Sequence, residues 1–420
     1  MLKLDEFIQR HKVRPEDFVR DRVLQFGIVL SMILQKSAKS LQIRLNELLL
    51  SERISKSVSA SAFSQARHKF KHTAFIELDR LLVESYYSEK GFKTWRGYRC
   101  IGVDGSKTVL PLTKEVETHF GRTVIKNAYG EKHYVWGLWE CYYDVLNHVV
   151  IKTELNPSWK AEREAALELL DTGGKKDLLI WDRGYASYEF LVKLKENKKD
   201  YVIRCPKRVF AEADRIFAQG KEVSQVIEIQ APNYRKKEVV KGRLPEKIRV
   251  RLVGVKLSTG ELEVLVSSLG DPVIGIRDFK ELYFLRWGVE GFFDLVKNRL
   301  NLENYTGKSL ESVYQDFWST ILISNLETLL TEETENELME RKQGNKYKQK
   351  VNKAVSFNAI KNLAFELLDD EEIELEEVLE KLAFLFKMSP TVVRPDRNLP
   401  RKRSCRRSEH FLRRIKKAVF

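Results

Sequence analysis

Apolar positions along the chain follow two rhythms. Over the first ninety residues they recur at helical spacing, which predicts helices over Arg22–Gln35, Leu41–Leu50, Ser59–His72 and Ala74–Tyr87. From residue 98 they gather instead into short β-rich runs. These predict strands at Tyr98–Val103, Tyr134–Val145, His148–Leu155, Asp177–Trp181 and Tyr201–Arg204. Asn147 marks the turn between the second and third strands. Helices are predicted at Lys160–Asp171, stopped by Thr172-Gly173-Gly174, and at Ser187–Asn197. The order is strand, strand, strand, helix, strand, helix, strand, an α/β arrangement. Residues 206–278 interrupt it with a β-rich insertion. Within the insertion, period-two apolar residues flank Ser258-Thr259-Gly260-Glu261 and predict a hairpin. Helical periodicity returns over Phe357–Phe386.

The polar residues that break these patterns carry the candidate chemistry. The run Tyr98–Val103 closes on Asp104-Gly105-Ser106, and Asp177–Trp181 closes on Asp182-Arg183-Gly184-Tyr185. Each aspartate alone is also accounted for as a turn former or helix N-cap. The segment from Tyr283 to Lys297 places Tyr283, Arg286, Glu290 and Lys297 at offsets 0, 3, 7 and 14. On a regular helix those offsets share one arc about 60° wide. Flanking Phe284, Val289, Phe292, Phe293, Val296 and Leu300 allow part of that stripe to be a solvated face with i,i+4 pairing. Three carboxylates from distant positions suit two Mg²⁺ ions about 4 Å apart, which take oxygen ligands and serve in-line displacement at phosphorus.

Asp104-Gly-Ser, Asp182-Arg-Gly-Tyr and the Tyr283/Arg286/Glu290/Lys297 signature resemble the DDE transposases of bacterial insertion sequences. The likeness is to the group named after insertion sequence four, and it runs from about residue 98 to about 330. Ser61–Lys69 also resembles that group's helical leader. The resemblance implies a ribonuclease H-like catalytic core in which the first and fourth strands lie side by side, with helical N- and C-terminal regions. It implies Asp104, Asp182 and Glu290 as catalytic, metal-binding carboxylates, and Tyr283, Arg286 and Lys297 beside DNA phosphates. The cofactor it implies is Mg²⁺, two ions, with Mn²⁺ as a substitute. The implied activity is cut-and-paste transposition, in which the ends of an insertion sequence are cleaved and strands are transferred into target DNA. Its partners would be the terminal inverted repeats, target DNA and a second copy of the chain in the DNA complex. Two other readings stay open, a catalytically inactive DNA-binding derivative and a nuclease of the same fold that cuts without joining.

Asp182 and Glu290 stand 108 residues apart, more than a bare core of this kind needs, so the insertion at 206–278 accounts for the excess. The expected organisation is a helical DNA-binding region over 1–95, a catalytic core over 96–330, and a helical C-terminal region with a basic tail over 331–420.

Composition changes the picture in three places. The chain of 420 residues carries a net charge of +14, which favours a polyanionic partner. The charge is concentrated from Arg394 to Phe420, where eleven basic residues face two acids. Just upstream, Glu366–Glu380 holds nine acids and no base, which predicts a helix with one acidic face or a mask for the tail. His68 and His72 have metal-ligand spacing but lie in a basic segment with no acid between them, so they read as surface or DNA-proximal residues. The four cysteines form no CxxC pair, which indicates neither a zinc finger nor a disulfide framework and suits a reducing cytoplasm; the resemblance implies that this cytoplasm is bacterial and that the chain associates with the nucleoid. No GxxxxGK[ST] loop is present, so no nucleotide cofactor is expected. The apolar run Val23–Leu34 is too short to span a membrane.

Overall fold

The computed structural model describes residues 4–37, 39–88, 91–127, 130–170, 176–270, 272–340, 347–364 and 375–394. They divide into two compact units, one from Met1–Glu89, Val109–Trp136 and Val296–Phe420, the other from Lys90–Thr108 and Gly137–Leu295.

The strands are β1 (Arg99–Leu110), β2 (Thr123–Asn127), β3 (Gly130–Asp144), β4 (Val149–Pro157), β5 (Asp177–Trp181), β6 (Asp200–Cys205), β7 (Val223–Gln230), β8 (Lys247–Lys256) and β9 (Leu262–Ser267). The second unit is a mixed α/β body around one sheet in the order β4-β3-β1-β5-β6-β9-β8-β7. β1, β5 and β6 run parallel, while β3/β4 and the β6-β9-β8-β7 stretch are antiparallel. β5 reads Asp-Leu-Leu-Ile-Trp and is buried at every position, the continuous apolar run expected of a central parallel strand. The hairpin predicted around Ser258–Glu261 is β8/β9. It extends the same sheet, because Val202–Cys205 of β6 pair with Val264–Ser267 of β9. One face of the sheet packs on Trp181, Tyr185, Tyr188 and Phe190, all at most 2% exposed. The helices predicted at Lys160–Asp171 and Ser187–Asn197 are found at Glu162–Glu168 and Tyr188–Glu196.

The first unit is largely helical. Its N-terminal helices include Phe26–Gln35, Leu41–Leu50, Ala60–Arg67 and Thr73–Ser88, close to the ranges that periodicity predicts. A 31-residue helix, Leu310–Glu340, packs on Phe26–Gln35 and Thr73–Ser88. Phe26, Phe70 and Phe75 form its aromatic centre, with ring centroids 4.7 and 5.3 Å apart. β2 and the first residues of β3 form a hairpin in this unit. His72 is a structural residue here, since its Nδ1 lies 2.9 Å from a Glu311 carboxylate oxygen and its ring stacks on Tyr314.

The basic tail beyond Arg394 and residues 366–374 of the acidic run lie outside the described residues. The rest of that run begins the helix Leu375–Met388, which buries Val378, Leu382 and Phe386. Among the described residues no helix is long and apolar enough to cross a membrane.

Candidate active site

The sheet register brings the two aspartates together. β1 and β5 pair in parallel from Arg99↔Asp177 to Val103↔Trp181, so Asp104 and Asp182 are the next residues on adjacent strands. A bidentate ion pair from Arg99 to Asp177, at 2.7 and 2.8 Å, fixes that register at the other end. Asp182 caps the turn Arg183–Tyr185 and accepts from the Arg183 N–H at 2.6 Å. Asp104 differs from expectation in one respect. β1 does not stop at Asp104-Gly105 but continues to Leu110, so the aspartate marks the end of pairing with β5 and not a turn.

The segment predicted as one helix over Tyr283–Lys297 is broken into three. An α-helix over Ile276–Phe284 ends at Leu285, a second runs over Trp287–Asp294, and a π-helical turn covers Leu295–Arg299. At the first joint the amides of Leu285, Arg286, Gly288 and Val289 bond three residues back rather than four, which tightens the backbone. The common arc computed for a regular helix therefore does not hold over its full length. Tyr283, Arg286 and Glu290 remain in the sheet-bearing unit, whereas Lys297 belongs to the π turn assigned to the helical unit.

The helix carrying Glu290 sits close to β1 because glycines face it. A Cβ built on Gly102 would lie 2.9 Å from Val145 Cγ1 and 3.4 Å from Val289 Cβ, and one on Gly288 would lie 3.2 Å from Val145. Trp139 and Tyr143 of β3 pin the same helix from the side, with centroids 4.6 Å from Phe293 and Phe292 respectively.

Arg286 ties the carboxylates together. Its Nη2 donates to Glu290 Oε1 at 2.6 Å, and its Nη1 lies 3.6 Å from Asp104 Oδ2. The guanidinium is 4% exposed, and its ring neighbours are Trp287 and Tyr283. Burial opposes its charge, but Tyr283, Glu290 and Asp182 outweigh that and raise its pKa. Burial lifts the Asp104 carboxyl to about 7, against Arg286 and the Gly105 N–H, with the charges of Asp182 and Glu162 adding to the rise. Tyr283 is buried, its hydroxyl has no hydrogen-bond partner, and burial raises its pKa.

Three more residues belong to this cluster that sequence reading missed. Glu140, in mid-β3, is fully buried; Tyr185 donates to its Oε1 at 3.0 Å, while Oε2 has no partner. Glu162, in the first turn of Glu162–Glu168, is coupled electrostatically to Tyr185 and to the charge of Asp182. Burial raises the pKa of both acids. Gly105 lies between them, since a Cβ there would stand 2.5 Å from Glu162 Oε1 and 3.0 Å from Glu140 Oε2. The signal available in sequence was an acid inside an otherwise apolar strand, Leu138-Trp139-Glu140-Cys141-Tyr142.

The donors are carboxylate oxygens, the set that hard divalent cations take. Among the described residues no three His, Cys, Asp or Glu side chains are grouped so as to enclose an ion, and the Arg286 guanidinium reaches both Asp104 and Glu290. Burial is the main cause of the raised Asp104 pKa, and one Glu140 carboxylate oxygen here has no hydrogen-bond partner.

Comparison with known proteins follows the same residues. The family model described as "Transposase DDE domain" matches residues 95–326. Transposase InsG for insertion sequence element IS4, from Escherichia coli strain K12, is 24% identical over 274 residues, 64% of this chain. The match spans 60% of that transposase's own length. A structural alignment with the cryo-EM structure of a piggyBac transposase synaptic complex with hairpin DNA has a TM-score of 0.46 at 12% identity, covering 91% of this chain and 83% of that one. With more than half its length matched by the family model, the chain belongs to the family of the transposase DDE domain.

Proposed function

We propose that this chain is a cut-and-paste DNA transposase that cleaves the ends of an insertion sequence and joins them to target DNA. The observation that carries this reading is the β1/β5 register, which seats Asp104 beside Asp182, together with the single guanidinium that holds Glu290 and Asp104. The strand order β4-β3-β1-β5-β6, with β1, β5 and β6 parallel, supports a ribonuclease H-like core within residues 96–330. Residues 206–278 are then its β-rich insertion, and 1–95 and 331–420 its DNA-binding flanks.

Asp104, Asp182 and Glu290 are the residues that would hold the divalent ions, two Mg²⁺ or Mn²⁺ in their place. Bound ions supply an activated oxygen nucleophile and neutralise charge at the reacting phosphorus. The chain's own residues do the rest. Arg286 keeps Glu290 turned toward Asp104 and holds the two acids together while no other cation is present. Its Nε and Nη1 have no hydrogen-bond partner, so they remain available to a phosphate oxygen. Tyr283 keeps a free hydroxyl donor at the same place, and Lys297 adds a cation for the DNA backbone. Two ends must be held together for transposition, so the working form is a dimer on DNA.

The test is a strand-transfer assay with the element's terminal repeats, a target duplex and Mg²⁺. Nicked ends followed by joined products support the reading. Cleavage without joining makes the chain a nuclease, and binding without cleavage makes it an inactive derivative.

A further inference from the structure

The helical unit contains a second charged site, opposite in sign to the first. A cavity of about 450 Å³ is lined by Lys36, Arg44, Arg299, Lys353 and Lys361, with no acidic residue in its wall. Two of the five are answered from outside it. Lys353 donates to Glu327 at 2.7 Å, and Arg44 lies 3.7 Å from Glu47. Lys36 donates to the Leu302 carbonyl at 2.9 Å. Arg299 and Lys361 have no acidic partner among the described residues. Arg299 and Lys361 thus leave two positive charges in one cavity that no acid among the described residues answers.

Such convergence is unfavourable unless an anion completes it. Burial lowers the Lys361 ammonium to about 8, and the neighbouring Arg44 charge adds to the effect. Burial lowers Arg44 as well. Asn358 and Asn362 place amide groups in the same wall, suited to phosphate oxygens. The lining's only aromatic ring is Phe357, which is 5% exposed, so no face is offered for a base to stack on.

We propose that this cavity seats backbone phosphates of a DNA strand and reads no sequence. The inference rests on the DNA-transposase reading above, but it concerns a different unit and different residues. It supplies a fixed contact for DNA within the helical unit, separate from the basic tail.

The experiment measures duplex binding by the full-length chain as a function of salt, for wild type, Arg299→Gln, Lys361→Met and Lys361→Arg. Arg299 is exposed, so its substitution does not disturb the core, and melting temperatures check the Lys361 variants. Loss of one phosphate contact lowers the slope of log K against log[salt] by about 0.9, an eightfold loss at roughly 0.1 M salt, for any duplex sequence. We expect that change in Arg299→Gln and Lys361→Met and near-wild-type binding in Lys361→Arg. Unchanged slopes in both neutral variants, with both folded, overturn the proposal. So does a wild type stabilised by inorganic phosphate or a mononucleotide through Lys361 while the DNA slopes stay put, because the cavity is then a small-anion site. Failure of wild type to bind any duplex overturns the transposase reading itself. Loss confined to these variants, with Asp104→Asn still binding, isolates the pocket.

Discussion

Two buried charged networks in this molecule look alike in composition and differ in completeness. In the helical unit, Arg67 is 7% exposed and makes four hydrogen bonds, to Gln315 Oε1 at 2.6 Å, Thr306 Oγ1 at 2.7 Å, the Ser312 carbonyl at 3.0 Å and Asp316 Oδ1 at 3.0 Å. Asp316 in turn accepts from the Thr306 N–H at 2.6 Å, and the Gln315 amide donates to the Phe70 carbonyl at 2.6 Å. In the sheet-bearing unit, Arg286 leaves Nε and Nη1 without hydrogen bonds, Glu140 leaves Oε2 and Tyr283 leaves its hydroxyl. A satisfied network contributes rigidity, whereas an unsatisfied one retains free energy for a ligand to recover. The first joins the helix Ala60–Arg67 to the helix Leu310–Glu340; the second gathers acids around the place where chemistry is proposed.

The largest effect that separates the two is catalytic. Asp104→Asn, Asp182→Asn and Glu290→Gln are each expected to lower strand transfer by more than about a thousandfold, since members of one site act as a unit. DNA binding should persist. The same Asp104→Asn change is expected to raise stability at pH 8. Asp104 titrates near 7 in the folded chain, above its unfolded value, so its charged form opposes folding once the pH passes 7. A variant that instead unfolds more easily at pH 8 would make the acid cluster a structural network like that of Arg67.

The converse substitution is Arg67→Met. Removing one partner strands Asp316, fully buried, and orphans the Gln315 and Thr306 acceptors. The expected loss is about 3–5 kcal/mol in urea denaturation. A loss below about 1 kcal/mol would show that the network's completeness is not what stabilises the helical unit.

The contrast also explains what sequence could disclose. β5 and the aspartate after it were legible because a fully buried central strand must be apolar throughout, so Asp182 stands out at its end. Glu290 was legible because its neighbours repeat at helical spacing. The break at Leu285–Arg286 was not, since neither residue is a helix breaker. Glu140 and Glu162 were hidden for another reason. One lies inside a strand and the other opens a helix, and only the sheet register brings both to Gly105. The network around Arg67 was equally invisible, because its partners lie some 240 residues along the chain.

A smaller, pH-dependent effect sharpens the comparison within the helical unit. Asp79 is buried with one donor, Asn325 Nδ2 at 2.9 Å, and burial raises it to about 7. A folded pKa above the unfolded one means that its stabilisation is complete below about pH 4 and is lost as pH rises through 7. Asp79→Asn keeps the Asn325 bond and removes the charge. The variant should therefore gain on wild type between pH 5 and pH 8, by up to roughly 3 kcal/mol. Parallel pH curves for the two proteins would show that Asp79 is charged in the folded state at both pH values.

The smallest effect tests how the active-site helix is held. Gly102→Ala adds a methyl 2.9 Å from Val145 Cγ1 and 3.4 Å from Val289 Cβ, and neither short, branched side chain has room to swing far. Overpacking of this kind costs about 1–3 kcal/mol. Val289 lies next to Glu290, so relief by movement of the helix shifts the carboxylate that Arg286 holds against Asp104. Strand transfer should therefore fall by more than the stability loss alone explains. Adding Val145→Ala opens the space that the methyl needs and should recover both quantities. Recovery of stability without recovery of strand transfer would mean that Gly102 serves the chemistry in some way other than the approach of this helix. Loss of stability with full activity would mean that the position of Glu290 does not depend on that packing.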